Sequence, residues 1–182
     1  MLSIDDINKV AEEADCLFDH LQVELSLDKM AVSITNDLAF TNPLIISVLT
    51  GAMIPAGHLL TRLNFPLEID YIHVTRYDGD IKGTDLKWVV EPRCSLKDRT
   101  VVIIDDIYDE GYTLDAIIQY CKDRGAVQVK SAVLVEKEHQ RGMNFSADYI
   151  GLKVPDRYVF GYGIDYKGYL RNANGIYAVK GL

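Results

Sequence analysis

The sequence predicts an α/β fold, a parallel β-sheet covered by helices on both faces. Three continuous apolar runs of strand length carry this prediction: 44–49 (LIISVL), 100–105 (TVVIID) and 131–137 (SAVLVEK). Such runs are typical of strands buried on both faces, and the helical patterns between them supply the crossovers that parallel strands need. Because ligands bind at the carboxyl ends of such strands, we expect the functional residues where these runs end.

Composition limits the class of protein. The 182 residues are 48% hydrophobic and contain no linker, repeat or low-complexity tract, so we expect one domain over 1–182. A net charge of −8 argues against a nucleic-acid-binding surface. No apolar run approaches the ~20 residues of a membrane span, and the first residues lack the basic-then-apolar order of a signal peptide. Cys16, Cys94 and Cys121 show no CxxC spacing, which favours reduced thiols in a cytoplasmic protein.

The remaining elements follow from local patterns. Ser3 and Asp6 form a capping-box pattern before a helix that apolar spacing extends to Leu21, and a second helical pattern runs from about Asp28 to just before Pro43. The elements expected after the first strand are, in order, a helix through Leu63, a strand at 67–77, a mobile polar loop at 78–85, a short strand at 88–91, a helix from Thr113 to the terminating Gly125, and a strand at 149–154.

The stretch VVIIDDIYDEGYTL, Val101–Leu114, places four carboxylates where a strand ends and a helix begins. Two aspartates there can simply meet solvent, and Asp also caps helices. A nucleotide triphosphatase would need a G-x-x-x-x-G-K-[ST] loop, which is absent, and GYGIDY lacks the third glycine of a dinucleotide fingerprint and comes too late. A response-regulator receiver carries its acids near the N-terminus. These three classes are therefore excluded.

The chemistry of this acidic turn favours a sugar phosphate. Gly111 and Thr113, at a helix start, can offer N–H groups and a hydroxyl to a phosphate, helped by the helix dipole. Asp105 and Asp106, just upstream, can accept hydrogen bonds from the adjacent hydroxyls of a ribose or hold a hydrated Mg²⁺.

An apolar strand, two acids, three residues and a turn with Gly and Thr resemble the signature of the phosphoribosyltransferases that use phosphoribosyl pyrophosphate. From about Leu44 the chain is similar to hypoxanthine-guanine phosphoribosyltransferases, through LTGAM, TRYDGD, VVIIDDIYDEGYTL, LVEK and VPDRYVFGYGIDYKGYLR in the family's order. The resemblance implies a type I phosphoribosyltransferase fold: a Rossmann-like parallel β-sheet flanked by helices, with a small hood formed by terminal segments. It also implies Mg²⁺ as cofactor and a homodimer or homotetramer.

The implied reaction transfers the 5-phosphoribosyl group from phosphoribosyl pyrophosphate to hypoxanthine or guanine, giving IMP or GMP plus pyrophosphate. Two alternatives stay open. One is a phosphoribosyltransferase that prefers xanthine, because the residues that read the purine 2-position act partly through backbone. The other is a non-catalytic regulator with the same fold that binds RNA or DNA; the acidic charge disfavours it.

The resemblance assigns the carboxylates different roles. Asp105 and Asp106 would hold the ribose 2- and 3-hydroxyls and help to place Mg²⁺. Asp109 would be the catalytic general base, which takes the proton from purine N7. Asp109 as an ordinary turn residue bonded to its own backbone is the structural alternative.

Gly111, Tyr112 and Thr113 would cradle the 5-phosphate, largely through backbone N–H groups. Two residues depart from the family here: Glu110 stands where Thr is commonest, and Tyr112 where Lys is frequent. Because a carboxylate beside the phosphate would repel it, we expect Glu110 to point outward.

The purine would be bound by residues from three segments. Lys137 would donate to O6, which favours hypoxanthine and guanine over adenine, whose 6-amino group is itself a donor. Tyr158 would stack on one face, Ile107 would cover the other, and the Val159 backbone would contact the ring edge.

The pyrophosphate would lie against the loop at Thr50 and Gly51, where relatives often carry Lys in place of Thr50. The family's non-proline cis peptide is expected between Leu49 and Thr50 or nearby. Asp165 would bind a second Mg²⁺, and Arg171 would contact the leaving pyrophosphate.

Arg76 and Tyr77 open the predicted mobile loop, which in the family closes over the site. Closure would exclude water from a transition state that resembles an oxocarbenium ion. The family usually has Ser at the position of Arg76.

Overall fold

The computed structural model describes residues 2–76, 86–139, 141–142 and 145–181. Within these ranges the chain forms two sheets and flanking helices. The strands are β1 (Asp15–Asp19), β2 (Leu44–Leu49), β3 (Glu68–Arg76), β4 (Leu86–Val90), β5 (Thr100–Tyr108), β6 (Gln128–Glu138), β7 (Tyr149–Pro155), β8 (Val159–Phe160) and β9 (Gly175–Ala178). The helices are α1 (Ile4–Glu13), α2 (His20–Leu38), α3 (Met53–Leu60) and α4 (Tyr112–Asp123).

The larger sheet has the strand order β4-β3-β2-β5-β6-β7. All neighbouring pairs are parallel except β3 and β4, which are antiparallel. The predicted parallel α/β fold is therefore confirmed. The chain moves from β2 to β3 on one side, and β5 lies on the other side of β2, so the strand order reverses between β2 and β5. Such a switch point opens a crevice at the carboxyl ends of the two strands.

The central strands are buried because helices cover them. Val101–Ile104 of β5 are at most 2% exposed, and β2 is buried over most of its length. Helix α2 packs on β7, while α4 packs on β5 and β6. Leu27 and Ile34 of α2 and Ile117 of α4 are fully buried in the resulting core. This packing gives the strand ends a rigid base.

The smaller sheet has the order β1-β9-β8 and is antiparallel. It joins a strand from the start of the chain to two from its end: Asp15 and Val159 both pair with Ala178. This sheet is the hood that the resemblance implied, and it is made of terminal segments as expected. Its strand β8 follows directly after Tyr158.

The prediction for the N-terminal helix is wrong in extent. Helix α1 has the predicted Ser3–Asp6 capping box but ends at Glu13, and α2 begins at His20 rather than near Asp28. Asp19 and Gln22 form a second capping box, with N···O distances of 2.9 and 3.0 Å. The residues before Asp19 pair with β9, so tertiary strand pairing overrides their helical spacing.

Other boundaries differ less. Helix α3 ends before the predicted Leu63, and β5, β6 and α4 agree with their patterns. The predicted loop at 78–85 lies outside the described residues. Within the described ranges, no helix combines the length and the apolarity that crossing a membrane requires. The three cysteines are unpaired.

Candidate active site

A cavity of about 920 Å³ lies at the carboxyl ends of β2, β5 and β6, next to the hood. It brings together residues from all the predicted motifs. The predicted site residues that line it are Thr50, Gly51, Asp105, Asp106, Ile107, Asp109, Gly111, Thr113, Lys137, Tyr158, Val159, Asp165 and Arg171.

Four predicted residues are not placed in this lining. Glu110 and Tyr112 belong to the acidic turn but do not line the cavity, which agrees with an outward Glu110. Arg76 ends β3, and its side chain lies outside the described part of the chain, as does the whole of Tyr77.

Asp105 and Asp106 sit side by side near the end of β5. One oxygen of Asp105 accepts from the Asp106 N–H, and one oxygen of Asp106 accepts from the Ile107 N–H, each at 2.9 Å. Burial raises the pKa of both carboxyls, and the negative charge of Asp106 raises the pKa of Asp105 further. The pair therefore resists carrying two charges until a ligand supplies hydroxyls or positive charge.

Asp109 has the opposite environment. The Lys137 ammonium lies 2.9 Å from Asp109 Oδ2, and His139 Nε2 lies 2.6 Å from Oδ1. Desolvation acts to raise the pKa of Asp109, but the hydrogen bonds from Lys137 and His139 and the positive charge of Lys137 outweigh it, so the pKa is lowered. Asp109 is therefore held as a carboxylate with both oxygens engaged.

His139 was missed at the level of sequence. Its side chain is 7% exposed and faces the same carboxylate as Lys137. Strand β6 ends at Glu138, so His139 lies just past the strand that carries Lys137, and no local sequence pattern indicates its contact with Asp109.

The turn before α4 is shaped by glycine. Gly111 has φ = 82°, in the left-handed region, and a Cβ there would lie 2.6 Å from the Tyr108 hydroxyl. Helix α4 begins at the next residue, so its first N–H groups have no partner within the helix and are open to an anion.

The opposite wall holds the residues predicted for pyrophosphate. The Leu49–Thr50 peptide is cis, as the resemblance implied. A Cβ on Gly51 would collide with the Asp106 carboxylate, so this loop and the acidic turn are in direct contact. Arg171 joins the two sides: it donates to the Gly163 carbonyl at 2.5 Å and lies 2.7 Å from Asp165 and 3.6 Å from Asp106.

Two sets of acids could take a metal ion. Among the described residues, the one group of three metal-binding side chains whose ligand atoms lie within 4.8 Å of one another is Asp109, His139 and Asp156. Lys137 and Arg141 already pair with its two carboxylates, which disfavours a cation there. Asp105 and Asp106 are the better fit, because they are adjacent buried carboxyls whose ionised forms the charge of Mg²⁺ would stabilise.

The hood supplies an aromatic wall. Tyr158 is 39% exposed and packs edge-to-face against Tyr166, with 5.4 Å between ring centroids. Val159 is buried, since β8 pairs with β9, and Ile107 lines the cavity from the acidic turn. Tyr158 and Ile107 thus give the cavity apolar surface from the hood and from the acidic turn.

The comparisons with known proteins agree with this geometry. The family model of the phosphoribosyl transferase domain matches residues 13–167. Hypoxanthine-guanine phosphoribosyltransferase of Bacillus subtilis is 30% identical over 96% of this chain and 94% of its own length. The solved structure of Trypanosoma cruzi hypoxanthine phosphoribosyltransferase in complex with the product IMP superposes with a TM-score of 0.85 at 28% identity, over 93% of this chain and 95% of that one.

The bifunctional protein TilS/HprT of Listeria monocytogenes is 33% identical over 92% of this chain, which spans 25% of that relative's length. The match to the Bacillus subtilis relative, by contrast, extends over nearly the whole of both proteins. The chain therefore belongs to the phosphoribosyltransferase family, among the hypoxanthine-guanine phosphoribosyltransferases.

Proposed function

We propose that the chain transfers the 5-phosphoribosyl group of phosphoribosyl pyrophosphate to hypoxanthine or guanine in purine salvage. The observation that carries the proposal is the pair formed by Lys137 and Asp109, whose Nζ and Oδ2 lie 2.9 Å apart at the cavity wall. A 6-oxopurine presents an acceptor, O6, beside a donor, N7–H. The lysine donor and the carboxylate acceptor are complementary to these two groups.

This complementarity also excludes adenine. Adenine carries an amino donor at position 6, which would face the ammonium of Lys137 and leave a buried donor without an acceptor. The Trypanosoma cruzi relative, with the same fold, was solved with IMP, the nucleotide of hypoxanthine.

In the proposed reaction, purine N9 attacks the anomeric carbon of the ribose while the bond from that carbon to pyrophosphate breaks. Asp109 accepts the N7 proton. Asp105 and Asp106 hold the ribose hydroxyls, the N–H groups at the start of α4 bind the 5-phosphate, and Arg171 contacts the leaving pyrophosphate. Mg²⁺, bound through Asp105 and Asp106, would offset the negative charge that the leaving group develops.

Several further properties belong to the proposal. Asp165 would help to hold a second Mg²⁺; in the free protein its carboxylate forms an ion pair with Arg171 at 2.7 Å. Loss of this pairing on substrate binding would free Asp165 for the metal.

We also propose a cytoplasmic location, which the unpaired cysteines support. We further propose a homodimer or homotetramer, which the exposed apolar side chains Leu21, Leu25 and Val32 on α2 support.

A base-panel assay tests the function. Purified protein, Mg²⁺ and phosphoribosyl pyrophosphate are incubated separately with hypoxanthine, guanine, xanthine and adenine, and nucleotide formation is followed by absorbance. We expect turnover with hypoxanthine and guanine and none with adenine. A strong preference for xanthine would replace hypoxanthine and guanine as the assigned substrates and leave the proposed mechanism unchanged. No turnover with any base, from protein that still binds phosphoribosyl pyrophosphate, would favour the regulator instead.

A further inference from the structure

We propose that His139 is a positioning residue that holds the Asp109 carboxylate in place while Lys137 is engaged with the purine. This inference rests on the proposed function and adds to it a residue that the acidic turn itself does not contain. It follows from how the two oxygens of Asp109 are divided between their partners.

Lys137 and His139 bind different oxygens of Asp109. Lys137 holds Oδ2 and His139 holds Oδ1. When Lys137 donates to purine O6, Oδ2 is released next to N7–H and can accept its proton. Oδ1 keeps its bond to His139, so the carboxylate stays oriented at the step that needs it. With Lys137 as its sole side-chain partner, Asp109 would lose its orientation as the base arrives.

The tautomer of His139 is set by its other nitrogen. Nδ1 accepts a hydrogen bond from the Arg141 backbone N–H at 3.1 Å, so Nε2 carries the hydrogen and donates to Asp109. A neutral His139 therefore suffices for the bond. The same bond persists when Asp109 is protonated on Oδ2, because Oδ1 then remains an acceptor.

The segment that carries His139 is braced on two sides. Arg141 forms an ion pair with Asp156 at 2.7 Å. Gly142, with φ = 88°, packs against the Glu110 backbone so closely that a Cβ would collide with the Glu110 carbonyl oxygen. Strand β6 ends at Glu138, directly before His139, and these contacts hold Arg141 and Gly142 after it, so the imidazole position is determined by the fold and not by Asp109 alone.

Several charged groups close to the Asp109–His139 contact influence the pKa of Asp109. Lys137 on β6 and Asp156 after β7 both lie close to the Asp109–His139 contact, and Arg141 pairs with Asp156. Removal of the His139 donor leaves these groups in place. It should therefore raise the pKa of Asp109, because a hydrogen bond to the charged form is lost.

The test compares His139→Leu, which removes the donor, with His139→Gln, whose amide can donate from a similar position. We expect His139→Leu to lower kcat by about 10-fold or more while the KM for phosphoribosyl pyrophosphate changes less than about 3-fold. The acid limb of the kcat/KM profile should move to higher pH, and His139→Gln should recover most of both effects. His58→Gln, the same chemical change on α3, should leave the acid limb in place.

Carboxyl NMR of Asp109 provides a readout that does not depend on turnover. If the wild-type protein turns over no purine but His139→Leu still raises the pKa of Asp109, the proposed reaction fails and the positioning contact stands. Full kcat in folded His139→Leu, or a loss with no movement of either the acid limb or the Asp109 signal, would overturn the positioning role.

Discussion

The Asp105–Asp106 pair and Asp109 lie three residues apart in the acidic turn and have opposite electrostatics. Asp105 and Asp106 lie side by side with raised pKa values, and among the described side chains their ion-pair partner is Arg171, 3.6 Å from Asp106. Asp109 has a lowered pKa and a donor on each oxygen. One group is therefore short of positive charge, and the other is already neutralised.

The difference shows how one acidic turn can serve two kinds of ligand. The pair with too little positive charge is suited to a ligand that brings hydroxyls and a cation. Asp109, the neutralised carboxylate, is suited to a ligand that forms a hydrogen bond with Lys137 and donates a proton to Asp109. Three substitutions test this division, in order of decreasing effect.

Asp109→Asn should have the largest effect, because it removes the proton acceptor and keeps the shape. We expect kcat to fall by about 10²- to 10⁴-fold, the range for general base catalysis, with binding of phosphoribosyl pyrophosphate changed less than about 3-fold. Steady-state kinetics and direct binding measure the two quantities. Asp156→Asn, which removes the neighbouring carboxylate of the same cluster, is the matched control and should retain most of the activity. Equal turnover of both variants would remove Asp109 from the base role.

Lys137→Ala should act mainly on the purine. Loss of one charged hydrogen bond should raise the KM for hypoxanthine by about 10- to 100-fold, while Asp109 keeps its contact with His139. Lys153→Ala, on the exposed side of β7, removes a lysine paired with Glu136 and should leave this KM unchanged. An unaltered KM for the base in Lys137→Ala would contradict the assignment of O6 to Lys137.

The smallest effects are changes in the free energy of unfolding of the ligand-free protein. Substitution of Asp106 and substitution of Asp109 should change it in opposite directions. The raised pKa of Asp106 means that its ionised form costs stability; this cost is complete above the folded-state pKa and vanishes below the unfolded value of about 3.9. The lowered pKa of Asp109 means that its ionised form adds stability, which is present above about pH 3.9 and lost as the pH falls through the folded-state pKa.

At neutral pH we therefore expect Asp106→Asn to be more stable than the wild type and Asp109→Asn less stable, the second difference being the smaller because solvent screens the partly exposed Asp109 carboxylate. Both differences should shrink as the solution is acidified. Urea unfolding without metal or substrate at several pH values measures them. A change in stability of the same sign for both variants would contradict the opposite environments of Asp106 and Asp109.

The sequence patterns located the fold, the strand ends and the acidic turn because these depend on local signals. Tyr158, Val159, Asp165 and Arg171 were assigned to the site only by the resemblance. The buried strands β2, β5 and β6 are continuous apolar runs, and the acidic turn follows directly from one of them. Strand β1 was missed because its pairing partner, β9, lies at the far end of the chain. His139 was missed because its role depends on a contact with Asp109 from another strand, which no local spacing reports.

The hood has a consequence for how the protein is made. Strands β2 to β5 and helix α4 form the phosphate end from one continuous part of the chain, whereas β8 and β1 are joined only through β9, the last strand. On a ribosome, the phosphate end can begin to assemble while the wall that holds Tyr158 still lacks its central strand. During synthesis, folding should therefore proceed from the proposed phosphate side to the proposed purine side, and nascent chains that end before β9 should already protect β5 from proteolysis.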